Sequence, residues 1–291
     1  MADNLIVGLT DPAARDRLLV GGKAANLSLL ASEFRVPPGF CVTEAAHRAW
    51  VEGLEGDVRR QVAQAYGSLG SKLGAGDPAV AVRSSATDED GSESSFAGQY
   101  ETFLNVVGAE AVQKAVVGCW ESARSPRAVE YRRSRGLSGH SGVAVLVQAL
   151  VSSDVSGIVF SVNPVTADRS EVVVNASWGM GESVVGGTVT PDSWVVRRSD
   201  VSVVRNDCAD KKVMTIRDDA GTREVAVPRL LRTRPCLNEA QVLEAARLAI
   251  DLEARMGWPV DLECSWSDGS LNLLQCRPVT TVATKRGNLE G

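Results

Sequence analysis

The pattern of hydrophobic and polar positions changes character near residue 140 of the chain. Before that point, apolar residues recur at helical spacing and are interrupted by glycine and proline. After it, runs of β-branched residues are separated by Gly, Asn, Asp and Pro, which is typical of strands joined by turns. The pattern predicts helices at residues 23–33, 44–53, 57–72, 109–135 with an interruption near 125–126, and 238–256.

Strands are predicted where the apolar segments are short and bounded by turn residues. They fall at residues 79–85, 100–106, 142–151, 156–162, 171–178 and 193–198, followed by a C-terminal hairpin. We therefore expect an α+β chain with two lobes. The predicted parts are a mixed N-terminal lobe at 1–140, a β-rich C-terminal lobe at 141–282 and a polar tail at 283–291.

The C-terminal hairpin, PVDLECSW-SDG-SLNLLQCRPV, collects polar side chains on each of its strands. Because side chains alternate along a strand, Asp261, Glu263 and Ser265 share one face of the first strand. Gln275 and Arg277 share one face of the second strand for the same reason. Whether the two polar faces coincide depends on the register, which the length of the loop sets in a regular hairpin.

A loop of two residues, 268–269, would put the two polar faces on opposite sides of the ribbon. A loop of three residues, 268–270, would put them on one side, and we predict this loop because it gathers carboxylate, amide and guanidinium groups. Carboxylate and amide oxygens suit Mg²⁺, and a fixed guanidinium suits a phosphate. A solvated face with a cross-strand ion pair is the alternative. The predicted pairs are Glu263 with Gln275 and Asp261 with Arg277.

Three further segments contain residues that could contact a nucleotide or a phosphate, and each also has a purely structural interpretation. VGGKAAN puts Lys23 at a helix start behind two glycines, which suits a phosphate, although a solvated lysine at a helix N-terminus is the plainer interpretation of this segment taken alone. ASWGMGE puts two glycines beside Glu182, and VQALV ends an apolar strand at Gln148 and Leu150. An ordinary turn and an ordinary core strand would explain the last two.

Composition excludes some classes of function. The net charge is -5 and the pI is near 5.3, so the chain lacks the basic character typical of proteins that bind nucleic acid. No apolar run approaches the ~20 residues of a membrane span, and the N-terminus has no basic segment of a signal peptide. Six scattered cysteines without a C-x-x-C pattern indicate reduced thiols. We expect a cytoplasmic protein.

In chain order, these segments resemble the N-terminal nucleotide-binding domain of phosphoenolpyruvate synthase, pyruvate phosphate dikinase and the rifampicin phosphotransferases. The resemblance covers residues 20–280. It implies an ATP-grasp fold, in which two lobes clamp ATP, and it implies ATP and Mg²⁺ as cofactors. The matching segments are VGGKAANLSLL, VPPGFCVT, AVRSSATDEDGSESSFAGQYETFLNV, AVLVQALVSSDVSGIVFSVNPVT, ASWGMGESVVGGTVTPDSW and PVDLECSWSDGSLNLLQCRPVT.

The resemblance also implies roles for individual residues. Lys23 and Arg83 resemble the cations that hold the ATP phosphates, and Arg277 resembles the arginine at the transferred phosphates. A glycine-bearing flap would cover the phosphates, with Ser95, Ala97, Gly98 and Gln99. An adenine-contacting connector would include Gln148 and Leu150, Glu182 would lie near the ribose, and the Mg²⁺ ligands would be Glu263 and Gln275.

In the resembled family, this domain splits ATP and passes a pyrophosphoryl group to a histidine on a separate domain. No histidine in a Gly/Ser/Thr-rich loop follows residue 280, and His47 and His140 do not resemble the carrier. The first interpretation is one component of a split phosphotransferase, with a phosphohistidine on another chain or domain and an unknown acceptor. A self-sufficient ATP-grasp kinase or ligase acting on a small molecule, and a non-catalytic nucleotide-binding module, are the alternatives.

Overall fold

The structure is a computed structural model, and it describes residues 4–86, 101–126, 130, 133, 142–219 and 221–279. Helices and strands are mixed throughout, as the sequence pattern predicts. The chain divides into two compact units: residues 1–150 with 218–222, and residues 151–217 with 223–291. The division falls after Leu150, and not near residue 140, because the apolar strand that precedes Leu150 pairs within the first unit.

The first unit is built on a five-stranded antiparallel sheet in the order β1-β2-β5-β3-β4. Its strands are β1 (Ile6–Gly8), β2 (Gly39–Val42), β3 (Val80–Ala86), β4 (Thr102–Val106) and β5 (Val143–Ala149). Its helices are a 3-10 turn (Pro12–Arg15), α1 (Arg17–Leu30), α2 (Glu44–Val51), α3 (Glu55–Leu73) and α4 (Ala109–Ser122).

The apolar core of the first unit lies between one face of this sheet and helices α2, α3 and α4. Alternate residues of β3 (Val80, Val82 and Ala86) enter it, together with Tyr66 and Trp120 from the helices. The opposite face of β3 carries Ala81, Arg83 and Ser85, and α1 lies against this face. The sheet therefore has one face for the core and one face that offers polar side chains.

Local sequence signals set most of the helix ends. The Thr43 hydroxyl accepts a hydrogen bond from the Ala46 N–H and begins α2, as predicted. Gly74 ends α3 in the left-handed conformation. The last helix has a capping box at Asn238 and ends at Gly257, as predicted for residues 238–256. Helix α4 ends at Ser122, close to the predicted interruption at 125–126.

The second unit contains a six-stranded antiparallel sheet in the order β13-β12-β6-β7-β8-β9 and a two-stranded sheet of β10 and β11. Its short helices are α5 (Glu182–Val185) and α6 (Arg229–Arg232), and its long helix is α7 (Glu239–Met256). The strands are β6 (Val155–Phe160), β7 (Glu171–Trp178), β8 (Asp192–Arg197), β9 (Ser202–Asp207), β10 (Val213–Arg217), β11 (Thr222–Ala226), β12 (Val260–Ser267) and β13 (Ser270–Pro278).

The large sheet of the second unit is apolar on one face and polar on the other. Leu262, Cys264 and Trp266 of β12 are buried on the face that α7 covers. Asp261, Glu263 and Ser265 occupy the other face because successive side chains alternate. Strands β9, β10 and β11 were not predicted, because none of them alternates regularly between apolar and polar residues.

No helix in the described parts of the chain is long and apolar enough to cross a membrane. All six cysteines lie in described residues and are unpaired; Cys208 is exposed, and the other five are buried. Burial raises the pKa of the Cys41 thiol to about 12, so this thiol stays protonated at neutral pH and is poorly reactive.

Candidate functional site

The hairpin of β12 and β13 turns through two residues. Ser267 pairs with Ser270, and both turn residues are left-handed, with φ of 50° at Asp268 and 73° at Gly269. This is the turn that an Asp-Gly dipeptide favours, since its twist matches that of the strands. The predicted three-residue loop is therefore wrong. Asp154 supports the observed turn, because its carboxylate accepts a hydrogen bond of 3.0 Å from the Asp268 N–H.

A β-bulge restores the predicted pairing beyond the turn. Cys264 pairs with Leu273, but the next residue, Glu263, pairs with Gln275, so Leu274 is the additional residue of β13. Asp261 then pairs with Arg277. The predicted cross-strand pairs are thus confirmed, although a bulge produces them and not a longer loop.

The resulting polar face carries a fixed ion pair. The Arg277 Nε donates a 2.8 Å hydrogen bond to Asp261 Oδ2, and the two side chains are only 19% and 10% exposed. Gln275 is 4% exposed, whereas Glu263 is half-buried. Asp261 was predicted to pair with Arg277 but not to be a ligand. Its position two residues before Glu263 on the same face was the available signal.

The chemistry of this face fits a magnesium ion that is also bound by phosphates. Carboxylate and amide oxygens are hard ligands, and Glu263 and Gln275 lie directly opposite each other on adjacent strands. Among the described residues, no group of three His, Cys, Asp or Glu side chains could hold a metal. Mg²⁺ does not need such a group, because it is usually bound through one or two carboxylates, substrate phosphates and water.

Glu182 lies in the same unit, at the start of α5 and directly after a tight turn. The turn begins at Gly179, where φ is 83° and an added Cβ would lie 2.3 Å from the Thr215 carbonyl oxygen. Only glycine fits that position. The Glu182 side chain is exposed, so its carboxylate is accessible, as a ribose contact would require.

In the first unit, Lys23 lies near the start of a helical segment inside α1. Gly21 interrupts α1 with φ of 77° and ψ of 171°, and the helix resumes at Gly22. The Ser85 hydroxyl accepts a 3.1 Å hydrogen bond from the Ala24 N–H and so caps the new segment. Gly21 is in close contact with Ser85, because an added Cβ would lie 1.9 Å from the Ser85 carbonyl oxygen.

Arg83 lies on the same face of β3 as Ser85, two residues earlier in the strand. Lys23 and Arg83 are therefore both near the contact of α1 with β3, and both are half-buried. Two cations beside a helix N-terminus favour an anion such as a phosphate. Ser85 was not predicted to contribute, although it belongs to the same RSS segment as Arg83.

The residues predicted to contact adenine make hydrogen bonds to backbone carbonyl oxygens of the first unit. Gln148 lies inside β5 and is 2% exposed, and its Nε2 donates a 3.0 Å hydrogen bond to the Pro37 carbonyl oxygen. The Leu150 N–H donates to the Ala79 carbonyl oxygen. These bonds use one N–H of the Gln148 amide and the Leu150 backbone donor. The predicted flap residues Ser95, Ala97, Gly98 and Gln99 lie outside the described residues.

Comparison with known proteins decides the family. The sequence profile of the pyruvate phosphate dikinase AMP/ATP-binding domain matches residues 52–289. The chain belongs to this family. The AMP/ATP-binding domain therefore accounts for most of the chain, including the β12–β13 hairpin and Glu182.

Several longer proteins are similar to this chain over nearly its whole length. A probable phosphoenolpyruvate synthase of Methanocaldococcus jannaschii is 34% identical over 98% of this chain and 27% of its own length. Phosphoenolpyruvate synthase of Aeropyrum pernix is 36% identical over 100% of this chain and 44% of its own length. Rifampicin phosphotransferase of a Streptomyces species is 36% identical over 97% of this chain and 36% of its own length. The chain thus spans less than half the length of each of these relatives.

Proposed function

We propose that this AMP/ATP-binding domain is a Mg·ATP-dependent phosphotransferase component of the dikinase type. It splits ATP to AMP and passes a phosphoryl or pyrophosphoryl group to a histidine on a separate partner chain or domain. The predicted ATP-grasp arrangement, with ATP held between two lobes, is part of this proposal. The observation that carries it is the common face of Glu263, Gln275 and Arg277 on the β12–β13 hairpin.

The hairpin residues have complementary tasks in this proposal. Glu263 and Gln275 would hold Mg²⁺, which neutralises charge on the phosphate oxygens when it is bound. Arg277 would donate hydrogen bonds to the transferred phosphates, and Asp261 keeps its guanidinium oriented through the 2.8 Å hydrogen bond. ATP carries about four negative charges, so this fixed positive charge stabilises the transition state without reorganisation at the moment of transfer.

Lys23 and Arg83 would bind the phosphate tail from the first unit. The helical segment that begins at Gly22 adds backbone N–H groups, and Ser85 fixes that segment against β3. In the transfer step, an imidazole nitrogen of the partner attacks the β-phosphorus of ATP. The bond between that phosphorus and the oxygen shared with the α-phosphate breaks, and AMP leaves with this oxygen.

The lengths of the relatives support a partner. More than half of each relative that we describe lies outside the region matched by this chain. The groups that carry and accept the phosphoryl in this proposal would therefore be supplied by another domain or another chain.

A self-sufficient kinase or ligase for a small molecule is the second candidate. The name of one relative, rifampicin phosphotransferase, favours a small-molecule acceptor. A non-catalytic nucleotide-binding module is less well supported, because the chain contains side chains suited to binding phosphates and Mg²⁺: Lys23, Arg83, Glu263, Gln275 and Arg277.

The nucleotide product distinguishes these functions. The chain is incubated with Mg·ATP, with and without a histidine-bearing domain of a family member supplied in trans, and AMP and ADP are separated by ion-exchange chromatography. We expect AMP only when the partner histidine is present, and none when that histidine is replaced by alanine. AMP or ADP formed with a small acceptor alone would support the self-sufficient enzyme. No turnover with any partner would leave only nucleotide binding and would contradict the proposal.

A further inference from the structure

A fully buried ion pair lies in the second unit at the start of β8. The Lys211 Nζ donates a 2.6 Å hydrogen bond to Asp192 Oδ1, and both side chains are 0% exposed. Lysine and aspartate are almost never buried this fully unless they are paired. Because Lys211 is inaccessible to solvent, it cannot contact a nucleotide, and any effect on nucleotide binding must pass through other residues.

The carboxylate of this pair joins three segments of the chain. Asp192 Oδ1 also accepts a 2.8 Å hydrogen bond from the Ala209 N–H, and Asp192 Oδ2 accepts one of 2.8 Å from the Cys236 N–H. The Lys211 ammonium donates a further bond of 3.1 Å to the Ala209 carbonyl oxygen. Both charges thus have additional partners, which a buried pair needs because its ions lose their hydration. The pair therefore fixes Lys211, two residues before β10, against the start of β8.

Strand β10 in turn holds the turn that leads to Glu182. The Met180 N–H donates a 2.8 Å hydrogen bond to the Thr215 carbonyl oxygen, and Gly179 forms a bridge with Thr215. A Cβ added at Gly179 would lie 2.3 Å from that oxygen, so the turn lies directly on the strand. Thr215 is four residues after Lys211 and is 4% exposed. The turn is therefore positioned by backbone contacts with β10.

The short helix α6 adds a second connection. Trp178 Nε1 donates a 3.0 Å hydrogen bond to the Leu231 carbonyl oxygen, and the Lys211 N–H donates one of 3.0 Å to the Arg232 carbonyl oxygen. Trp178 directly precedes Gly179. Adjacent carbonyl groups of α6 therefore hold the residue before the turn and the lysine of the ion pair.

Both ends of the segment 179–192, which contains Glu182, are consequently attached to the segment 211–215. One attachment is the backbone contact of the glycine turn, and the other is the buried ion pair. Because the two attachments are only four residues apart on the receiving segment, the ion pair restrains the same loop as the turn contact. Loss of the ion pair should therefore increase the freedom of the Glu182 carboxylate.

We propose that Lys211 is a positioning residue for ribose recognition. It acts through Asp192 and β10 to hold Glu182 where its carboxylate accepts hydrogen bonds from the ribose hydroxyls of ATP. This inference rests on the proposed function, in which Glu182 contacts the ribose. A buried ion pair often stabilises a protein no more than apolar residues of similar volume do. The role of this pair is to fix the loop that carries Glu182.

A double variant tests this role without burying a lone charge. Lys211→Met alone would leave the Asp192 carboxylate buried without its cation, which is strongly destabilising. Lys211→Met combined with Asp192→Asn removes both charges and keeps an amide oxygen as an acceptor. Arg198→Met combined with Glu253→Gln is the matched control, because that pair is mostly buried and joins the opposite end of β8 to α7.

Hydrogen exchange in the nucleotide-free chain tests the connection between the ion pair and the turn. The Met180 amide is hydrogen-bonded to Thr215, so it should be protected in the unmodified chain. Relative to the amides of α7, we expect this amide to exchange at least about tenfold faster in the double variant and at an unchanged rate in the control, measured by NMR. Equal exchange of the Met180 amide in the double variant and the unmodified chain would overturn the proposal.

Discrimination of the ribose gives a second readout. Calorimetric titration compares Mg·ATP with Mg·2′,3′-dideoxy-ATP, which lacks both ribose hydroxyls. We expect the unmodified chain and the control to bind ATP at least about tenfold more tightly, since hydrogen bonds to a charged group are strong. The double variant should lose most of this preference, as Glu182→Ala does, with an unchanged affinity for dideoxy-ATP. A purely stabilising role would lower the unfolding midpoint and leave the preference intact.

The outcomes separate this inference from the proposed function. If the double variant keeps the ribose preference that Glu182→Ala loses, the inference is wrong and the proposed function stands. A preference that is absent from the unmodified chain, or that persists in Glu182→Ala, would mean that Glu182 does not contact the ribose and would also overturn the inference alone. No binding of Mg·ATP by the unmodified chain would contradict both.

Discussion

The two polar clusters of this chain are assembled in different ways. In the second unit, Glu263, Gln275 and Arg277 come from one hairpin and are aligned by strand register. In the first unit, Lys23 and Arg83 come from segments far apart in the sequence, and a contact between residues 61 positions apart joins them. The hairpin cluster therefore depends on local geometry, whereas the cationic cluster depends on tertiary packing.

This difference determines how each cluster can be damaged. The packing of α1 on β3 leaves no room for a side chain at Gly21, because the two backbones are in contact there. The hairpin should tolerate a change in strand length, because the pairing of its strands already includes an additional residue at Leu274. The following four predictions separate the two clusters, from the largest expected effect to the smallest.

Gly21→Ala should disrupt the first cluster most strongly. An added Cβ would lie 1.9 Å from the Ser85 carbonyl oxygen, and φ of 77° is unfavourable for alanine. We expect a loss of at least about 4 kcal/mol in the free energy of unfolding, measured by urea denaturation. Gly56→Ala is the control, since nothing lies within 4 Å of its added Cβ. Equal stability of the two variants would contradict the described contact.

Arg277→Met should weaken the second cluster by leaving Asp261 without its guanidinium. The pair is mostly buried, so we expect a loss of about 1–3 kcal/mol in the free energy of unfolding. Arg197→Met is the matched control, because Arg197 and Asp200 form an ion pair with more than half of each side chain exposed. That control should unfold like the unmodified chain. A loss as large in the control would mean that burial does not explain the effect.

Glu263→Gln should change magnesium-dependent binding but not folding. It keeps the size of the side chain and removes one carboxylate ligand. We expect the affinity for Mg·ATP to fall by about 10–100-fold, in the range found when metal ligation is perturbed, with an unchanged unfolding midpoint. Glu244, on α7, offers a control, since Glu244→Gln changes a carboxylate on the opposite side of the sheet. Loss of affinity in both variants would indicate a general charge effect.

Deletion of Leu274 should have the smallest effect. It removes the additional residue of the bulge, so a regular hairpin from the turn at 268–269 still pairs Glu263 with Gln275 and Asp261 with Arg277. We expect Mg·ATP affinity within about tenfold of the unmodified chain. Insertion of one alanine after Leu274 is the contrasting variant. If the deletion abolishes binding and the insertion does not, the described register is wrong.

The sequence predicts much of the second cluster and little of the first. Alternation along β12 and β13 shows which polar residues of each strand share a face. The register that gathers these residues on one side was then chosen, and it predicted the pairs of Glu263 and Asp261. The bulge at Leu274 has no clear signal, so the predicted loop was one residue too long. The contact of Gly21 with Ser85 joins distant segments, and no local pattern reveals it.

The same limit applies to the fold. Helices with strong caps, such as the one that begins after Asn238, were predicted at their observed ends because the capping groups are local. Strands β9 to β11 were missed because none of them alternates regularly between apolar and polar residues. The hydrogen bond of Gln148 to Pro37 likewise depends on the pairing of β5 with β2, which joins residues far apart in the sequence.

The central claim is that the hairpin face of this AMP/ATP-binding domain holds Mg·ATP. Calorimetric titration of the whole chain with ATP, in the presence of Mg²⁺ and in its absence with EDTA, tests it most directly. We predict binding that depends on Mg²⁺ and weakens in Glu263→Gln. Binding of equal strength in all three conditions, or no binding by the unmodified chain with Mg²⁺, would contradict the claim.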